Sequence, residues 1–269
     1  MNPEFSEFSY GFALTHEIVN RLQRPSLTVA PSFPSLYQEG QASGGYDVRW
    51  DIPGMPLILQ FKISEWMVKR TAGEWSHFRE PYYRFWVRGR RYSDQHDLLI
   101  ALDDGISEVY YAAPVIHQVE ALNRAFIIGL VEQSSIFFRP ADIGVLPTDR
   151  DHAMAFLPGR AYGYRCSDPK EVPVSGEGLS FSKILAGRFR ERPLIQPEFY
   201  FQRVTELLER RGSARAHLTP EAAWGRRRDW PMAVRAGYLA RTVLGAELVW
   251  VVDETRLSVE ALGTLRQQQ

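Results

Sequence analysis

The chain has 269 residues, enough for one large domain or two smaller ones, and its 45% hydrophobic and 24% charged content is that of an ordinary globular protein. Lys and Arg (32) balance Asp and Glu (32), so no global field marks a nucleic-acid or membrane partner. The single cysteine, Cys166, excludes an intrachain disulfide and a multi-cysteine zinc site. No apolar run approaches the roughly 20 residues that span a bilayer, and residues 1–7 lack a secretory pattern, so the expected compartment is the cytoplasm.

The first predicted element is a helix over 9–24, with Leu14, Ile18 and Leu22 at four-residue spacing and Pro25 as its stop. Glu17 falls about 60° from Leu14, at the border of the apolar stripe, where a carboxylate can face a sheet edge or stay solvated. Residues 26–36 are rich in Ser and Pro, and 38–45 are small and polar, which suits a connection ending in Gly44-Gly45. Residues 46–62 then read as two strands, an alternating run from Tyr46 and an apolar run that ends in Gln60-Phe61-Lys62, joined by a turn over Asp51 to Pro56. Strand alternation sets Gln60 and Lys62 on one face. A neighbouring strand carrying Asp47 or Asp51 would gather a carboxylate, an amide and an ammonium, a set suited to metal-assisted phosphodiester hydrolysis.

In Asp47, Gln60 and Lys62 the chain resembles the PD-(D/E)XK nuclease superfamily: an Asp, a gap of roughly ten residues, then Glu, Asp or Gln, one apolar residue and Lys. Members similar to Holliday-junction resolvases and Mrr-type enzymes also carry a Glu on the preceding helix, here Glu17. The resemblance covers about the first 120 residues. It implies an α/β, restriction-endonuclease-like fold, with a mixed central sheet flanked by helices. It also implies catalytic roles for Glu17, Asp47, Gln60 and Lys62, and Mg2+, with Mn2+ as substitute, held by Asp47, Gln60 and Glu17. The implied substrate is DNA, and a restriction or anti-phage role fits. Gln60 in place of an acid leaves a second reading open: an inactive subunit that binds nucleic acid or a partner protein on the same scaffold.

Residues 66–91 interleave aromatics with basic groups. Tyr83, Phe85 and Val87 alternate, so they either stack bases or form the buried face of a strand. Arg88, Arg90 and Arg91 surround Gly89 in a predicted turn and are candidate phosphate contacts. A helix is predicted over 93–102 with Ser93 as N-cap, then a strand over 108–114, a helix over 117–129 and a strand over 136–138. Residues 140–147 read as a loop, and the Asp149-Arg150-Asp151-His152 cluster lacks the second histidine that would complete a metal site. A hairpin is predicted across Pro158-Gly159, joining 154–156 to 161–165.

Residues 169–178, with two Pro and two Gly, form the linker candidate, dividing a nuclease-like domain at 1–174 from a mainly helical region at 175–269. That second region carries 15 Lys and Arg against 11 Asp and Glu, a net +4 that permits a basic surface. Helices are predicted over 179–189 and 198–211, and a buried helix followed by a strand over 230–252. Arg226, Arg227 and Arg228 form the densest basic run, either a nucleic-acid contact or a solvated helix end. Assembly as a homo-oligomer, or with a partner protein in a multi-subunit system, stays open at this level.

Overall fold

A computed structural model describes residues 1–22, 53–175, 180–212 and 232–259. The expectations at Asp47 and its strand, at Asp51 and at Arg226, Arg227 and Arg228 lie outside the described residues. The chain is mixed α/β with two sheets and divides into two compact units, Met1–Leu22 with Leu59–Glu191 and Gln23–Ile58 with Arg192–Gln269. The units are discontinuous in sequence, so the helix after the linker candidate groups with the first unit and not with the C-terminal residues.

In the first unit, α1 (Glu7–Arg21) begins earlier than predicted because Ser6 caps it, its hydroxyl accepting from Ser9 N–H at 3.1 Å. Small residues bring this helix close to its support: a Cβ on Gly11 would stand 2.7 Å from the Phe61 ring. The last residues of β1 (Met55–Phe61) neighbour β4 (Glu108–Pro114), and β4 pairs antiparallel with β5 (Ser135–Phe138) in the register Ala112 to Phe137. Both β1 and β4 are buried almost throughout, which is why they read as near-continuous apolar runs.

The second sheet is antiparallel, in the order β2 (Glu65–Met67), β3 (Tyr82–Val87), β6 (His152–Phe156), β7 (Tyr162–Arg165), β8 (Lys170–Pro173). Tyr83, Phe85 and Val87 are its buried face, so they are core residues and not a stacking platform. The Phe85 ring lies 5.9 to 6.1 Å from Tyr111, Phe138 and Phe156, joining the two sheets through one aromatic core. Tyr82 is buried on the opposite face under α2 (Trp75–Phe78), against Trp75 and Phe78. The predicted hairpin forms between β6 and β7, with Gly159 at φ +72° in its turn.

Strand β8 corrects the linker reading of 169–178. Only Val172 of its four residues is buried, so its composition carries no strand signal, and its place is set by backbone pairing with β7. The remaining helices are α3 (Gln95–Leu102), α4 (Val119–Ile128), the short α5 (Pro140–Ile143) where a loop was predicted, and α6 (Phe181–Glu191).

In the second unit, α7 (Pro197–Gly212) and α8 (Met232–Leu244) pack with β9 (Ala246–Val251), which neighbours the first residues of β1. Trp250 is 2% exposed, with the Tyr200 and Phe201 rings at 5.5 and 4.9 Å. Gly54 bridges to Ile195, and a Cβ there would meet Val251 O at 2.7 Å. No helix among the described residues is long and apolar enough to cross a membrane.

Candidate active site at the end of strand β1

Gln60 is the last fully buried residue of β1, at 1% exposure. Its Nε2 donates to Phe61 O at 3.0 Å, and because a carbonyl only accepts, this bond fixes which end of the amide is nitrogen. Its Oε1 is therefore a buried carbonyl oxygen that accepts no hydrogen bond. Such an orphan costs about 1–3 kcal/mol, a penalty that a ligand in contact with it removes. Ser64, fully buried further along the chain, likewise leaves its hydroxyl without a partner.

Lys62 follows directly after the strand. Its backbone N–H donates to Ala112 O at 2.9 Å, which ties the strand end to β4. The ammonium donates to Gln95 Oε1 at 3.3 Å and lies 5.6 Å from the centroid of the Tyr111 ring. Burial draws the Lys62 amine below the ordinary lysine range; Glu7 and Asp151 raise it and Arg88 lowers it further. Glu7, although accessible at the surface of α1, has its carboxyl raised by desolvation more than the Lys62 charge lowers it.

Tyr111 is held by a buried relay. His96 Nε2 lies 2.8 Å from Gly144 O and must carry the proton there, so Nδ1 accepts from the Tyr111 hydroxyl at 2.9 Å. Burial pulls His96 below its ordinary value of 6.5, which keeps the ring neutral and the relay polarised in one direction. The native state then refuses a proton that the unfolded chain takes up below pH 6.5, so stability rises with pH through that region. We expect unfolding free energy to fall by up to about 1.4 kcal/mol per pH unit on acidification just below that value from this group alone. His96→Gln keeps one donor and one acceptor. Urea titrations across pH 5 to 7 should show a shallower slope for it, and an unchanged slope would rule out His96 as the source.

Glu17 is placed elsewhere. Its Oε2 accepts from Val131 N–H at 2.5 Å and Glu132 N–H at 3.3 Å, and its Oε1 stands 2.7 Å from the Arg21 guanidinium. Glu17 is ten residues beyond Glu7, about 15 Å along the helix, so the α1 acid that shares the field of Lys62 is Glu7. Periodicity located Glu17 at the edge of the apolar stripe, but it could not show that the other end of the helix meets the strand end. Glu17 ties α1 to the turn before β5, and Glu17→Ala should cost about 2–3 kcal/mol by stranding two buried N–H groups. Thermal unfolding measures this, and an unchanged Tm would remove the anchoring role.

The Gly89 turn lies in the same neighbourhood, since Arg88 and Asp151 both act on Lys62. Asp151 accepts from Gly89 N–H and from Arg88, each at 2.9 Å. Arg90 pairs with Asp97 at 2.7 Å, and Arg91 lies over the Tyr92 ring at 5.8 Å. His152 is buried and bonded to Thr148 and Ser167. Among the described residues no three His, Cys, Asp or Glu side chains converge as a metal site. Burial pushes the Cys166 thiol up to about 12, which removes it as a nucleophile near neutral pH.

The structure thus joins Lys62 to Gln95 by a hydrogen bond, with Glu7, Arg88 and Asp151 acting on its charge, and bonds Glu17 to the turn before β5 and to Arg21. Sequence reasoning missed Glu7 and Gln95. Gln95 opens a predicted helix, but that its side chain reaches Lys62 depends on packing alone. No family model, curated protein or solved structure matches the chain.

Proposed function

We propose that the chain is a metal-dependent phosphodiesterase acting on DNA, built on a restriction-endonuclease-like variant of the α/β fold. The observation that carries the reading is the orphaned Gln60 Oε1, buried two residues before a half-buried lysine at the end of one strand. An uncommitted amide oxygen suits a hard divalent cation, which takes oxygen ligands. Gln60 and Asp47 would hold Mg2+ or Mn2+, and such an ion, when bound, polarises a phosphoryl oxygen and acidifies a coordinated water.

The residues of the chain supply the rest. Lys62 donates a hydrogen bond toward charge that builds on the scissile phosphate, and its partial desolvation strengthens that interaction. Glu7, its carboxyl raised by desolvation, is the acid on α1 that can accept a proton beside Lys62. Gln95 and Tyr111 fix the lysine. Arg88, Arg90 and Arg91 give the Gly89 turn three guanidiniums for flanking phosphates, and Arg226, Arg227 and Arg228 are further candidate phosphate contacts by sequence. A restriction or anti-phage role fits this chemistry.

A second reading, an inactive DNA- or partner-binding subunit, is favoured by one observation: residue 60 is an uncharged amide and no acid trio stands beside it among the described residues. Plasmid and linear DNA incubated with the purified protein distinguish the two. The first reading expects cutting with Mg2+ that stops in chelator. Salt-sensitive binding without cutting would support the second, and neither binding nor cutting would sink both for DNA.

A further inference from the structure

Strand β5 is the outer strand of its sheet. Lys62 N–H donates to Ala112 O, so Ala112 turns its backbone groups toward β1 while Tyr111 and Ala113 turn theirs toward β5. Their partners Phe138 and Ile136 therefore face β4, and Ser135 and Phe137 point their N–H and C=O groups off the sheet. Ser135 N–H donates to Glu132 O at 3.1 Å, and Phe137 O accepts from Ser175 N–H at 2.9 Å. Ser135 O and Phe137 N–H remain, and among the described residues neither has a partner. Two groups so spaced are met by the N–H and C=O of a single residue, as in a parallel strand pair.

This edge borders a cavity of about 350 Å³ within the first unit, a volume suited to a small molecule. Val115 and the Phe137 and Phe181 rings, stacked at 3.7 Å, give it apolar walls, and its charged lining residues are Glu132 and Arg160. Glu132 is 3% exposed. Its Oε1 accepts from the N–H and hydroxyl of Ser182 at 2.9 and 3.2 Å, but its Oε2 accepts no hydrogen bond. Arg21 stands 3.7 Å from that oxygen and 2.7 Å from Glu17 Oε1, so among the described residues one guanidinium serves two buried carboxylates and closes on the other one. A buried carboxylate left underpaired favours a cation beside it.

We propose that this cavity binds an apolar α-amino acid, free or as the first residue of a peptide. The ammonium donates to Ser135 O in the field of Glu132, the carboxyl end accepts from Phe137 N–H, and the side chain lies against Val115, Phe137 and Phe181. A free amino acid also offers its carboxylate to Arg160, which is 58% exposed and 3.6 Å from Glu80. Charge and backbone together select this occupant: a polyanion would meet Glu132, and a hydrocarbon would leave both backbone groups unmet. The cavity shares no residue with the Lys62 site, so its occupant is independent of the nucleolytic reading.

Isothermal titration calorimetry of the full chain with L-phenylalanine tests this. Saturable binding is expected, weaker by about tenfold or more for 3-phenylpropanoate, which lacks the amine and its charge-assisted hydrogen bond. Glu132→Gln keeps a carbonyl for Ser182 and removes the charge, and should weaken L-phenylalanine by a similar factor. Arg160→Glu, at an exposed position where folding is not at stake, should weaken L-phenylalanine but not 2-phenylethylamine, which has no carboxylate. A phenylalanyl-glycyl-glycine peptide that binds more tightly than L-phenylalanine identifies a peptide N-terminus as the source, and one that binds more weakly identifies the free amino acid. Binding of neither, or binding of L-phenylalanine indifferent to both substitutions, would overturn the proposal.

Discussion

Lys62→Met should lower metal-dependent DNA cleavage by about 10²–10³-fold, the usual loss when a donor aimed at developing charge is removed. The substitution keeps an unbranched apolar stem against Tyr111 and deletes the donor to Gln95. It should not unfold the protein. Burial already draws the Lys62 amine below its ordinary range, so the folded state holds the charge at a cost that methionine does not carry. The expected result is a Tm at or above that of the parent chain, with DNA affinity retained through the arginines and cutting lost. Cleavage that persists in a folded Lys62→Met protein would detach the activity from this strand end. Lost cleavage with a collapsed Tm would make the lysine structural.

The largest effect on stability is expected at Gly89. A Cβ there would overlap the carbonyl oxygens of Asp149 and Arg150, and both obstacles are backbone, which no rotamer change can move. Gly89→Ala must therefore open the turn and stretch the bonds from Gly89 N–H to Asp151 at 2.9 Å and from Arg91 N–H to Asp149 O at 3.0 Å. Overpacking of this kind costs about 3 kcal/mol, and for a unit of this size that lowers Tm by roughly 10 °C. Because Arg88, Arg90 and Arg91 ride on the same turn, DNA affinity should fall with it. An unchanged Tm would mean that the close approach is relieved at little cost.

The parts of the fold that were legible in the sequence are those where one local rule decides. Alternation grouped Tyr83, Phe85 and Val87 on one face of β3, Gly159 marked the β6–β7 turn, and the four-residue spacing of Leu14 and Ile18 marked α1. Strand β8 was not legible, because a single valine among Lys170, Glu171 and Pro173 gives no pattern and the strand exists through its neighbour's backbone. Glu17 and Glu7 differ in a subtler way. Both are acids of one helix, and which of them meets Lys62 depends on Gly11 seating the helix on Phe61, a contact between segments 50 residues apart in sequence. The relay from Gly144 through His96 to Tyr111 is similarly invisible, since its members come from a loop, a helix and a strand.

In the proposed function Gln60 Oε1 is an oxygen ligand for a divalent cation. Titration of Mn2+ into the protein, with free Mn2+ read by its paramagnetic resonance signal, addresses it without any assumption about substrate. Saturable uptake of Mn2+ by the parent chain is expected, with at least tenfold weaker uptake by Gln60→Leu, which removes the orphaned oxygen at similar volume and leaves the fold intact. Equal uptake by both proteins, or none by the parent, would contradict it.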